Sequence, residues 1–343
     1  MFRTSVQASY WRFRLARWNQ PPAALEPGYT LLLPVPGDIP VFLELALRVC
    51  GSQAARHRRR TLVIPDRPSR AVSELVDRAR PEWVGELDVR LLRRPERLFL
   101  PHMNSGSRNH GLQVVEGVSS SSTSHVIFHD ADLFLLDDEL LDGQYAECRD
   151  RRLDCFGVSP APHSWYETKG LRLAATWEMV ASVPWLRRFP PYRQIGHDGE
   201  LFGEMHTFDT TLYAQTLTPA QQVDWVDRAT DFVHFNYVIT TYRHFQRFGA
   251  GFVDDNFRLL LIALFVHLFS REAPPPGLPA LAQLAAGIGA SDVPVRYEQD
   301  EASVARWANF RSQLDRMLCA EYVPAPAAAQ AMEALSAFDD FYR

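Results

Sequence analysis

The chain has few cysteines and no pattern among them. Four occur in 343 residues, Cys50, Cys148, Cys155 and Cys319. With no Cys-x-x-Cys pair and no cluster, they exclude a structural zinc site of the usual spacing and a disulfide scaffold. They read as small core residues in a reducing compartment. Positive charge is not in excess either. The formal net charge of −5 at pH 7 lacks the basic footprint of a nucleic-acid-binding protein. Met1 to Arg17 is basic and aromatic (Tyr10, Trp11, Arg12, Phe13, Arg14, Arg17) without the apolar run of a signal peptide, so a cytoplasmic location is expected. No membrane span is evident. The apolar stretch Asn256 to Phe269, with Asp254, Asp255, Arg258 and Arg271 at its ends, is shorter than the roughly 20 residues a span requires. Its expected fate is burial against the core or a symmetry mate.

A hydrophobic fraction of 46% and a charged fraction of 22% are those of an ordinary globular protein. Apolar runs alternate with amphipathic ones. Strands are expected at Tyr29 to Pro36, Thr61 to Asp66 and Leu87 to Leu92, with helices at Val41 to Cys50 and Ser69 to Arg80 between them. Such alternation predicts an α/β fold with a mostly parallel sheet and crossover helices. A turn-rich run, Asn104 to Gly111, leads into a helix over Leu112 to Val118; a serine-rich connector follows, then the β-branched strand His125 to Phe128. Leu153 to Ser159 reads as a further core strand, followed by His163, Ser164, Trp165 and Tyr166, side chains able to stack on a sugar or to pack locally.

Asp130 and Asp132 stand where the strand from His125 ends. One residue apart in extended chain, their side chains point to the same side. Such a pair holds a hard divalent cation through oxygen and leaves coordination positions for a diphosphate. The alternative is a turn or loop cap. Position favours the cation, because the carboxyl edge of an open α/β sheet is where ligands bind. Uncompensated carboxylates between two apolar runs are also costly.

The run Arg108-Asn109-x-Gly111-Leu112, a helix, and a strand ending in Asp130-Ala131-Asp132 resembles the core of the GT-A fold nucleotide-sugar glycosyltransferases, in particular glycosyltransferase family 2. The resemblance spans about residues 29 to 240. It implies a GT-A type (Rossmann-like) sheet, Mn2+ or Mg2+ at the Asp-x-Asp motif, and a nucleotide-diphosphate sugar as donor. By the same resemblance, the turn carrying Pro34 and Pro36 meets the nucleotide base. Asp66 contacts base or ribose, its alternative being a cap for the helix from Ser69. Arg108 faces the diphosphate and Asn109 caps the helix beside it, or both merely cap and solvate.

Inverting members of that family carry an acidic motif at the start of a helix under the acceptor site. Here the match is partial: His197-Asp198, with Glu200 just beyond. A hydroxyl nucleophile needs a general base, and Asp198 is the first candidate, Glu200 the second. A plain acidic helix N-terminus is the alternative. His234 matches the late histidine that completes the metal shell in several such enzymes, or it is a packed core histidine. Arg243 is placed to meet phosphate through its planar fork.

Three regions are expected: an N-terminal extension over 1–26, a GT-A catalytic domain over 27–250, and a helical C-terminal region over 251–343 that covers the acceptor side or supports a homodimer. The expected activity is metal-dependent transfer of a sugar to a hydroxyl acceptor, with inversion. With no membrane span, a soluble glycan, peptide or small molecule is the expected acceptor. A nucleotidyltransferase is the alternative within enzymes, but Pro34-Val35-Pro36-Gly37-Asp38 has no basic residue of the kind such a loop requires. A non-catalytic sugar-nucleotide or glycan-binding protein is the alternative outside them.

Overall fold

β1 (Glu26–Val35) is the strand around which the sheet is ordered. Leu31, Leu32 and Leu33 are all fully buried, the composition of a strand covered on both faces. The computed structural model describes residues 9–18, 24–99, 106–249, 256–270, 275–290 and 293–343. Asn104, Ser105, Asp254, Asp255 and Arg271 lie outside the described residues, as does the side chain of Arg108.

In chain order the helices are α1 (residues 9–14), α2 (Pro40–Gly51), α3 (Arg70–Ala79), α4 (Arg94–Phe99), α5 (Gly106–Ser120), α6 (Leu140–Asp150) and α7 (Ser164–Thr168). Then come α8 (Val183–Arg188), α9 (Leu212–Thr216), α10 (Val238–Phe248), α11 (Asn256–Phe269), α12 (Leu281–Ala286), α13 (Glu301–Leu318) and α14 (Ala325–Phe341). The strands after β1 are β2 (Arg58–Pro65), β3 (Glu86–Val89), β4 (Thr123–His129), β5 (Leu133–Leu135) and β6 (Cys155–Gly157). They continue with β7 (Glu178–Ser182), β8 (His197–Leu201), β9 (Glu204–Phe208), β10 (Val223–Trp225) and β11 (Phe232–His234).

Contacts divide the chain into two units. The first comprises Met1–Asp38, Gln53–Ala131 and Asp137–Asp231. It holds a seven-stranded sheet in the order β10-β6-β7-β4-β1-β2-β3. β7 runs antiparallel to β4 and β6, and the other pairs are parallel, so the sheet is α/β and mostly parallel, as the pattern predicts. Leu32, Leu62, Ile64, Val126, Phe128 and Met179 form one core with Leu112, Val115 and Val118 of α5 and Trp185 of α8. Gly117 lets α5 approach closely, because a Cβ there would lie 2.7 Å from Ile64 Cδ1 and 2.9 Å from Leu32. α1 joins this unit through a buried ion pair: Arg14 Nε meets Glu96 at 2.9 Å and its Nη2 meets Glu116 of α5 at 3.0 Å.

The second unit comprises Ile39–Ser52, Asp132–Leu136 and Phe232–Arg343. α11 is its centre. Every residue of α11 but Arg258 and His267 is buried, and the helix packs on α2, α10, α12 and α14. Its apolar surface is thus covered within its own unit. Phe265 meets Phe42 of α2 and Phe134 of β5, with ring centroids at 5.9 and 5.2 Å. Trp307 of α13 stacks on Phe338 of α14 with ring centroids 5.4 Å apart. Residues 232–249 belong with these C-terminal helices because β11 pairs with β5. Among the described residues, no helix is long and apolar enough to cross a membrane.

Candidate functional site

In the sheet, strands are added on one side of β1 as β2 and β3, and on the other as β4. The chain reverses its direction of growth between β1 and β4, and the crevice outside their carboxyl ends is the place where α/β sheets bind ligands. Asp130 and Asp132 follow β4 directly. The backbone N–H of Asp130 donates to Trp177 O at 2.9 Å. The short β5–β11 ribbon accounts for the third member of the group. Its antiparallel register sets His234 opposite Leu133, one residue past Asp132. His234 Nε2 accordingly lies 3.5 Å from Asp132 Oδ1, and the Phe235 N–H donates to the Asp132 carbonyl at 3.2 Å. Since a single residue separates Asp130 from Asp132, their spacing is set by the chain itself. One ligand atom from each of Asp130, Asp132 and His234 lies within 4.8 Å of the others.

Beneath this edge is a buried polar network. His129, the last residue of β4, faces Glu178 of β7, its cross-strand partner, with Nδ1 2.6 Å from Oε2. Gln144 of α6 donates to the other oxygen of Glu178 at 2.5 Å. All three side chains have no solvent exposure. A second histidine reaches Asp130 from another direction. His110 Nε2 is 3.2 Å from Asp130 Oδ1, and its Nδ1 is 3.4 Å from Thr210 Oγ1. Sequence reasoning passed over His110, although it sits inside the Arg108-to-Gly111 run; nothing local shows which way its ring points.

At the end of β1, Pro34 and Pro36 are buried, and the Gly37 N–H donates to Asp66 Oδ1 at 3.3 Å. A Cβ at Gly37 would run into the Arg67 carbonyl, so the turn admits only glycine. Asp66 therefore ties the ends of β1 and β2 together, whereas Ser69 occupies the N-cap of α3. Gln113 clamps the same edge, its Nε2 donating to Val35 O at 3.0 Å and to Ile64 O.

Asn109 does not begin a helix. α5 starts at Gly106, so Asn109 lies inside its first turns, buried, with an Oδ1 that has no partner among the described residues. Arg108 belongs to the same helix. Arg243 is half-buried on α10 of the second unit.

The segment around Asp198 and Glu200 is not a helix start either. It forms β8, paired antiparallel with β9. The alternation of half-buried His197, Gly199 and Leu201 with exposed Asp198 and Glu200 is the period of a strand. The turn, Phe202-Gly203, has φ of 54° and 76°, the left-handed conformation of a tight hairpin. Asp198 accepts from Thr207 Oγ1 at 2.8 Å. Neither carboxylate belongs to the Asp130–Asp132–His234 group. Nearby, Trp165 of α7 stacks on His206 of β9 with centroids 4.2 Å apart, and His206 Nε2 meets the Tyr166 hydroxyl at 3.1 Å. Burial, and next the neighbouring His163, hold His206 below its ordinary pKa.

No protein-family model matches the chain, and no curated protein does. Solved structures similar to it include a Pyrobaculum calidifontis mannosyltransferase in complex with GDP-mannose and Mn2+, at 15% identity and TM-score 0.39 over 97% of this chain and 92% of that one. S. aureus TarS 1–349 in complex with UDP-GlcNAc is similar at 12% identity and TM-score 0.42, over 92% and 89%. Glucosyl-3-phosphoglycerate synthase from Mycobacterium tuberculosis with Mn2+ and UDP-glucose is similar at 10% identity and TM-score 0.37, over 59% and 69%.

Proposed function

We propose that the chain is a metal-dependent glycosyltransferase that moves a sugar from a nucleotide-diphosphate donor to a hydroxyl acceptor, with inversion. The observation that carries this is the meeting of Asp130, Asp132 and His234 at the carboxyl edge beside the β1–β4 reversal. Two carboxylates and an imidazole fit a divalent cation; the carboxylates suit Mg2+ or Mn2+, and the imidazole favours Mn2+. When bound, the cation neutralises charge on the departing diphosphate.

The protein's own groups supply the rest. The Pro34–Pro36 turn and Asp66 line the place for the nucleoside, since the Gly37 backbone there is fixed by the Asp66 carboxylate. Asn109 offers a buried, unpartnered acceptor from α5, and Arg108 and Arg243 are the cations assigned to phosphate. Asp198 takes the proton of the acceptor hydroxyl. One of its oxygens is held by Thr207, and the other has no partner among the described residues. Glu200, two residues on along the exposed face of β8, is the second candidate. A single displacement assisted by such a base inverts the anomeric carbon. The acceptor class proposed is a soluble glycan, peptide or small molecule.

The test is calorimetric titration of UDP, GDP, dTDP and ADP into the protein with Mn2+ and with EDTA. Binding of one nucleotide that disappears with EDTA supports the proposal and names the donor base. Absence of binding under every condition removes it. A non-catalytic binding protein would bind the nucleotide and never hydrolyse the sugar donor, whereas a nucleotidyltransferase would release pyrophosphate from a nucleoside triphosphate.

A further inference from the structure

The geometry points to His110 as a positioning residue for Asp130, held in its turn by Thr210; this rests on the metal role of Asp130 proposed above. His110 lies on α5 next to Gly111, and the glycine decides how that helix docks. A Cβ at Gly111 would lie 2.7 Å from Cβ and Cγ2 of Ile195, so the first turns of α5 pack directly on the Gln194–Ile195 segment. Gln194 is joined by its carbonyl to the Thr211 N–H at 3.2 Å. One corner of the chain therefore meets α5 at the point where His110 emerges.

That corner is strained. Thr211 is fully buried with φ of 63°, a conformation that a β-branched residue rarely adopts. It is held there by several bonds: Asp209 Oδ1 accepts the Thr210 N–H at 2.7 Å, and the Asp209 carbonyl accepts the Leu212 N–H at 3.2 Å. The outcome is a Thr210 side chain that is 1% exposed and directed at His110 Nδ1, 3.4 Å away.

The contact admits either tautomer; in the one where the Thr210 hydroxyl donates to Nδ1, the imidazole carries its proton on Nε2. That nitrogen faces Asp130 Oδ1 at 3.2 Å, with both side chains about one quarter exposed, at 25% and 27%. The ring thus spans from the buried corner to the ligand edge. At that separation Nε2 restricts rotation of Asp130 in this tautomer and leaves the remaining lone pairs for a cation. Partners of this kind, one step removed from the metal, commonly change metal affinity by about 10- to 100-fold.

The experiment is Mn2+ titration followed by electron paramagnetic resonance, with Mn2+ alone as the probe, on the full chain. Wild type is compared with Asp132→Ala, His110→Phe, Thr210→Val, Thr210→Ser and the His110→Phe/Thr210→Val double variant. His110→Phe should weaken Mn2+ binding by about 10- to 100-fold. Thr210→Val should weaken it by about two- to tenfold, the worth of one hydrogen bond, and Thr210→Ser, which keeps the hydroxyl, should restore it. The double variant should bind no more weakly than His110→Phe, because the two residues act through one path. A role in packing alone predicts additive losses in melting temperature and an unchanged Mn2+ affinity. If His110→Phe does not fold, the contrast between Thr210→Val and Thr210→Ser decides. Loss of Mn2+ in Asp132→Ala with full affinity in His110→Phe, or equal affinity in both Thr210 variants, overturns the positioning role alone. A wild-type protein that binds no Mn2+ overturns the metal role and this inference together.

Discussion

Two acidic pairs with the same one-residue spacing are treated very differently by the fold. Asp130 and Asp132 follow a strand buried on both faces, and Asp132 is itself buried and faced by His234. Asp198 and Glu200 lie on the outward side of a two-stranded hairpin. Taking a carboxylate out of water is costly unless a partner or a cation compensates. The first pair is set in place before any ligand arrives. The second stays solvated on the exposed face of β8. The contrast matches the division of labour proposed above, with binding at the sheet edge and proton transfer at the hairpin.

Separating the two functions gives the largest expected effects. Asp198→Asn should lower turnover by about 10²- to 10⁴-fold, the usual worth of a general base, with Mn2+-dependent nucleotide binding intact. Asp132→Asn should abolish that binding, a loss of about 100-fold or more. Parallel calorimetry and initial-rate measurements check both. Equal loss of nucleotide binding in the two variants would break the division.

The buried side of the comparison can be sharpened through Glu178. Replacing it by leucine leaves His129 and Gln144 without their partner in the interior and should cost about 3 kcal/mol in denaturant unfolding. The double replacement His129→Leu/Glu178→Leu should recover most of this. Glu200→Gln on the hairpin should change stability by less than about 0.5 kcal/mol.

A smaller effect is expected at the other end of β4. Burial, and next the nearby Arg149, lower the His125 pKa to about 4, whereas an unfolded histidine titrates near 6.5. Between these values the unfolded chain binds the extra proton. The stability contribution is therefore complete above pH 6.5 and is lost progressively as pH falls toward 4. Urea unfolding from pH 7 to pH 4 measures it, and His125→Phe should flatten that part of the profile.

The parts of the fold legible in the sequence are those whose signal is local. Leu31 to Val35, Leu62 to Pro65 and Val126 to Phe128 are continuous apolar runs inside β1, β2 and β4, and the Asp-x-Asp that follows β4 needs no long-range information to be placed at a strand's end. α11 is apolar on nearly every side and could only be buried. β7 was not legible, because it opens on Glu178, a charge that makes sense only against His129 across the strand. The hairpin was misread as a helix start: glycine and acidic residues suggested a helix N-terminus, while the period-two alternation from His197 to Leu201 is the signal that decides for a strand. Residues 232–249 join the C-terminal helices through β11, and a three-residue strand is specified by its partner β5 more than by its own composition. His110 was missed for the same reason, since its direction depends on how Gly111 docks on Ile195.

Anomalous diffraction from crystals soaked in Mn2+ tests the central claim most directly. One strong peak at bonding distance from Asp132 and from His234 Nε2, absent in Asp132→Ala crystals, is the predicted result. No peak there, or a site whose ligands lie elsewhere in the chain, would contradict it.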